Sequence, residues 1–218
     1  MRGVFNRFVS FKTRIMKLSL TLFIFAVLFY ASYAAPDIRN CTPPKPYYPV
    51  TVVSTTERLQ KLREQMRRSN LAAYIIPSAD AHGSEYVRTQ DKRRGFISGF
   101  SGSAGTGVVT LRSAALWTDG RYFLEAEKQL DCNWILQRSG EKGVPSKEEW
   151  LITVLKSGDR VGIDPFLISI SSWEKTSKPL KDKNIMLVNI TENLVDKVWT
   201  NRPIEKLKNV DVQLYNYT

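Results

Sequence analysis

The residue types with the most chemistry at the closest spacing lie in Trp117-Thr118-Asp119-Gly120-Arg121. An apolar run ends there, Asp-Gly turns the chain, and Arg121 opens a stretch with helical spacing, RYFLEAEKQL. A carboxylate two residues before a guanidinium can serve two ends. Asp119 can cap the helix that starts beside it, leaving Arg121 solvated. Or Arg121, in the first helical turn at the carboxyl edge of a sheet, can reach a ligand or another domain, because ligand contacts in α/β folds gather at that edge. A second group, Asp80, His82 and Glu85 in SADAHGSEYV, is the one stretch that reads as an acid–base cluster. The plain alternative is a polar loop in which His82 and Asp80 hold each other or the backbone.

Other chemistries are bounded by composition. The chain has one histidine, His82, and two cysteines, Cys41 and Cys132. A zinc site of His and Cys needs three or four ligands, and these three residues are scattered. No compact Asp/His/Glu set is visible either. The glycines Gly99, Gly102, Gly105 and Gly107 invite a phosphate-loop reading, but no Gly-Lys-Ser/Thr follows and the loop leads into a strand, not a helix. They read as chain-reversal residues that tolerate positive φ.

These groups must be held by a scaffold, and the patterning supplies one. Ser54-x-x-Glu57 forms a capping box, with Leu59, Leu62 and Met66 on one helical face. LAAYIIP is a short, fully apolar run, as in a buried strand, stopped by Pro77. QDKRRGFISGF reads as a helix closing at Gly99. TGVVTL and AALWTD, joined by Arg112-Ser113, read as a hairpin without the favoured Asn-Gly type of turn. The helix after Arg121 turns Phe123, Ala126 and Leu130 inward, and CNWILQ is the next strand. Ser146-x-x-Glu149 is a second capping box, opening a helix with Trp150, Leu151, Val154 and Leu155 on its apolar face. RVGID is a strand stopped by Pro165. Ser171-x-x-Glu174 starts a helix that Pro179 disrupts, and NIMLVNI is the last strand. Alternating strands and helices predict a three-layer α/β domain, with a mixed sheet because of the hairpin.

The 218 residues suffice for one ordinary core. Residues 1–34 have a basic n-region, an apolar core from Leu18 to Phe29 and small residues suited to cleavage after Ala34, the pattern of a secretory signal; an uncleaved signal anchor is the alternative. The formal charge of +11 falls to +6 without that segment. The one basic run is Asp91-Lys92-Arg93-Arg94, so nucleic-acid binding is not expected. Residues 35–53 are a proline-rich lead-in, 54–192 the folded domain, and 193–218 a linker or the truncated start of a next domain. Asn40, Asn189 and Asn216 stand in glycosylation sequons, consistent with a secreted, extracellular protein. In that compartment Cys41 and Cys132 can pair; alternatively either is buried and free, or pairs outside this chain.

The ordered set YIIPSADAH, SEY, RRGFISGFSGSAGTGVV, WTDGRYFLEAEKQL, NWIL, EEWL, RVGIDP and NLVDKVWTNRP resembles the N-terminal domain of aminopeptidase P. These are the Xaa-Pro aminopeptidases, relatives of creatinase and prolidase, and the resemblance runs from about Thr55 to Pro203. It implies a creatinase/prolidase N-terminal fold, with a mixed sheet flanked by helices. It also implies an enzyme that removes the first residue of peptides with proline second. In that family the catalytic domain comes last and holds two manganese or zinc ions. That domain is absent from this sequence, so the chain alone is expected to be inactive and to hold no cofactor. The arginine of WTDGR lies near the substrate entrance in the family, which maps substrate binding onto Arg121, with Asp119 and His82 as accompanying candidates. The expected partners are a peptide with proline second and a second subunit, both in the full enzyme. Membrane attachment is expected only through a retained signal anchor or an absent C-terminal one. The other readings are a free-standing secreted peptide-binding module and a non-functional truncated product.

Overall fold

The structure is a computed structural model that describes residues 38–204. The signal segment and Asn216 lie outside the described residues. The strands are β1 (Ala73–Pro77), β2 (Thr106–Thr110), β3 (Ala114–Thr118), β4 (Trp134–Arg138), β5 (Arg160–Ile163) and β6 (Met186–Asn189). The helices are α1 (Thr56–Arg68), α2 (Arg93–Ser98), α3 (Phe123–Gln129), α4 (Lys147–Val154), α5 (Ile170–Lys181) and α6 (Leu194–Val198).

One sheet joins all six strands in the order β4-β3-β2-β1-β5-β6. β2 runs antiparallel to both neighbours, and the other pairings are parallel. This is the mixed sheet that the hairpin demanded. The hairpin turn works without Asn-Gly because Thr110 Oγ1 accepts from the amides of Arg112 and Ser113 (3.3 and 2.9 Å).

Side-chain alternation along the strands divides the core into two layers. Tyr74, Ile76, Val109, Ala114 and Leu116 face α1, α2 and α6, meeting Leu59, Leu62, Met66, Ile97, Leu194 and Val195. Ala73, Ile75, Val108, Ala115, Trp117, Val161 and Ile163 face the other way, onto Trp150 and Leu151 of α4 and Leu180 of α5. β1 is buried on both faces, which is why its run is continuously apolar. The result is the three-layer α/β arrangement.

Several local expectations are met and several are corrected. α2 closes at Gly99, whose φ of 77° is left-handed, and the Ser146–Glu149 box forms with both of its hydrogen bonds. The Ser54–Glu57 box does not form. Thr55 is the N-cap of α1, and its amide and hydroxyl are taken by Asp131, 76 residues away (2.6 and 2.9 Å). A buried carboxylate from a neighbouring loop thus replaces the local cap. α5 is capped by Ser169, whose hydroxyl accepts from the Ser172 amide, rather than by Ser171, and it runs through Pro179 to Lys181. Pro179 lies in the last turn, so it forfeits one bond near an end that would fray in any case. Val154 is exposed, not part of the apolar face of α4.

The proline-rich lead-in is tied to the domain. Cys41 is bonded to Cys132, with Cα atoms 5.6 Å apart. Arg39 donates to Glu127 (3.2 Å) and to the carbonyl of Trp134 (2.7 Å). At the other end, packing continues past Asn193. Leu194 and Val195 are core residues, and the Leu194 amide donates to the buried Tyr74 hydroxyl (3.3 Å). Among the described residues no helix is long and apolar enough to cross a membrane.

Candidate functional site

The carboxyl ends of β1, β3, β4, β5 and β6 share one edge of the sheet, because all five run in the same direction. β3 delivers Asp119 there as it ends at Thr118. A turn follows in which the Tyr122 amide donates to the Asp119 carbonyl (3.0 Å). Arg121 therefore sits in the turn before α3, not in its first helical turn. Asp119 does not cap α3. It accepts from the Arg121 amide (3.1 Å) and grips the guanidinium through both oxygens, Nε to Oδ1 and Nη2 to Oδ2, each at 2.9 Å. That hydrogen bonding holds the Asp119 carboxyl down to about 2 and raises Arg121.

Arg121 is thus oriented while still accessible. Its side chain is 70% exposed and that of Asp119 40%. The guanidinium lies 5.2 Å from the centre of the Tyr122 ring. Tyr122 is fixed in turn by its hydroxyl, 2.6 Å from Ser103 Oγ on the glycine loop. Sequence reasoning missed this support. No motif marks Tyr122 and Ser103 as a pair, since they are 19 residues apart.

The second predicted cluster does not assemble. Asp80 Oδ1 accepts from the amides of Ser84 (2.9 Å) and His82 (3.0 Å), and those bonds lower its pKa. It is the loop anchor of the plain alternative, held by backbone rather than by the imidazole. His82 and Glu85 are exposed and make no hydrogen bond to each other or to Asp80 through their side chains. Asp80 follows β1, two strands from β3, so about 10 Å of sheet separates it from the Arg121 turn. His82 and Arg121 are not joined. Asn40 and Asn189 are both exposed. The basic run at residues 92–94 is no charged face, because Arg93 and Arg94 are buried.

The chain matches the Creatinase/Prolidase N-terminal domain over residues 58–198, from early α1 to the end of α6. It belongs to that family. It is 54% identical over 163 residues to the human Xaa-Pro aminopeptidase 2, a match spanning 75% of this chain and 24% of that protein. It is 50% identical over 160 residues to a probable Xaa-Pro aminopeptidase P of Penicillium rubens, spanning 72% and 26%. Among solved structures it superimposes on the X-prolyl aminopeptidase of Caenorhabditis elegans with a TM-score of 0.66 and 42% identity, spanning 70% of this chain and 26% of that one. The creatinase/prolidase N-terminal chain thus spans about a quarter of the length of these relatives.

The C. elegans protein is described as a cytosolic enzyme with a di-nuclear active site. Among the described residues here, no three His, Cys, Asp or Glu side chains gather where they could hold a metal ion. The acids that cluster, Asp91 and Asp196, face arginines. The described residues therefore do not fit a di-nuclear metal set.

Proposed function

We propose that this domain is the non-catalytic N-terminal part of a secreted Xaa-Pro aminopeptidase, shaping its substrate entrance and supporting contacts between two subunits. The observation that carries the entrance role is the Arg121–Asp119 pair. Asp119 occupies Nε and Nη2 of the guanidinium, and Nη1 makes no bond within the described residues. A donor fixed in direction yet open to solvent suits a carbonyl or carboxylate of an extended peptide. Peptide-bond hydrolysis then falls to residues outside 38–204. Export is supported by the Cys41–Cys132 disulfide, a bond that persists in oxidising compartments.

The test has two arms. With manganese present, the chain alone should release no first residue from an Xaa-Pro tripeptide; release would overturn the division of labour. In an Xaa-Pro aminopeptidase that carries this domain, Arg121→Ala should raise KM about tenfold with kcat little changed, the loss of one charge-assisted hydrogen bond. An unchanged KM would remove Arg121 from the entrance. Tight peptide binding by the chain alone, abolished in Arg121→Ala, would favour the free-standing peptide-binding module instead.

A further inference from the structure

A cleft of about 490 Å³ opens between the glycine loop and the end of α6. Its walls include Phe96, Phe100 and Trp199, with Gly102 and Ser103 from the loop, and Arg121 is not among its lining residues. Phe96 and Trp199 stack with ring centres 4.6 Å apart and planes 10° off parallel, forming a two-ring aromatic layer in the wall. Three charged residues line it: Glu85, Lys92 and Arg94.

Arg94 is the unusual one. It is 5% exposed, yet its Nε and Nη1 have no hydrogen-bond partner. Only Nη2 is engaged, donating to the Gly102 carbonyl. The Phe100 ring, 4.8 Å from the guanidinium carbon, offers a cation–π contact but no acceptor. Glu125 acts on Arg94 through space, but its carboxylate is already bound to the Ser101 hydroxyl (2.7 Å). Burial lowers Arg94 to about 10, which marks how poorly its charge is compensated. The neighbouring Arg93, also buried, has two carboxylates. A buried guanidinium with two donor nitrogens left without acceptors is expensive, so an acceptor supplied from the adjoining cleft would stabilise this arrangement.

We propose that the cleft is a binding site for a small organic carboxylate, its anionic group drawn to Arg94 and Lys92 beside the glycine loop and its apolar body against Phe96 and Trp199. The two cations outweigh the single acid on the wall, Glu85, and favour a monoanion. The apolar walls favour an aliphatic or aromatic body over a hydrated one. The site is separate from the Arg121 turn. The two adjoin through Tyr122, whose hydroxyl pairs with Ser103 on the rim and whose ring packs edge-on against Phe100.

The probe is 3-phenylpropionate, titrated into the full chain at constant ionic strength and read by tryptophan fluorescence. Its uncharged counterpart, 3-phenylpropanamide, is the control. The acid should saturate with a dissociation constant on the order of 1 mM or tighter. The amide should bind at least about tenfold more weakly, the worth of a hydrogen bond to a charged group. The response should vanish in Trp199→Phe, which places the ligand in this cleft. Arg94→Lys, which keeps the charge but loses the planar fork, should bring the acid close to the amide. Equal affinity for acid and amide in the wild-type chain, or no saturable response, overturns the proposal whether or not any variant folds.

Discussion

Two arginine–aspartate pairs in this domain have nearly the same geometry and opposite surroundings. At the seam between α2 and α6, Arg93 grips Asp196 through Nε (2.8 Å) and Nη2 (2.9 Å). At the sheet edge, Arg121 grips Asp119 through the same two nitrogens, both at 2.9 Å. The seam side chains are 10% and 26% exposed, those at the edge 70% and 40%. The seam pair belongs to a network: Asp91 bonds both Arg93 and Arg202 at 3.1 Å, and Arg202 reaches Asp196 at 2.7 Å. The edge pair is local to one turn. Hydrogen-bond geometry therefore does not tell a buried structural pair from an exposed one. Burial and connectivity do, because a paired charge is costly to uncover only where water cannot replace its partner.

The largest effect should come from breaking the seam. Asp196→Ala leaves Arg93 buried with Asp91 alone and strips Arg202 of one partner, and it should destabilise the domain by about 3 kcal/mol. Urea unfolding of the chain measures it. A loss below about 1 kcal/mol would mean that the seam, like the edge, is effectively solvated. Next in size, Arg93→Lys should cost about 1–2 kcal/mol, since an ammonium keeps the charge but cannot serve two carboxylates with a planar fork. The same change at Arg121 should leave the melting temperature within about 1 °C of wild type, because an exposed pair contributes little. If Arg121→Lys unfolded the domain as readily as Arg93→Lys, the distinction between the pairs would fail.

What the sequence disclosed follows the range of each interaction. The two-layer core was readable from apolar runs and their spacing, because burial of β1 and the inner faces of α1 is written in consecutive residues. Gly99 and the Ser146–Glu149 box were readable because donor and acceptor lie within four positions. Ser54–Glu57 and Ser171–Glu174 carry the same local signature and fail. Asp131 outcompetes the first from 76 residues away, and Ser169 offers the second helix an earlier cap. At the candidate site, Asp119 and Arg121 could be singled out from one five-residue stretch. Their mutual grip, the Tyr122–Ser103 brace and the unsatisfied Arg94 could not. The grip is local, but the same two residue types two apart fit a helix cap equally well; the other two depend on where the glycine loop lies against β3 and α3, and no spacing encodes that.

The finest test of the comparison is the titration of Asp119. Hydrogen bonding to Arg121 holds its carboxyl near 2, below the ordinary value of about 4. A depressed folded-state pKa means that the pair's contribution is complete above about pH 4 and is lost as pH falls toward 2. With both side chains open to water that contribution is small, so acid unfolding should be almost unchanged in Arg121→Ala. The carboxyl itself still reports the contact. Followed by carbon-13 NMR, the Asp119 midpoint should rise by at least about one unit when Arg121 becomes alanine, because the hydrogen bonds that lower it are removed. A midpoint near 4 in the wild-type chain would show that the guanidinium spends its time in solvent. The oriented donor on which the proposed entrance role of Arg121 rests would then be lost.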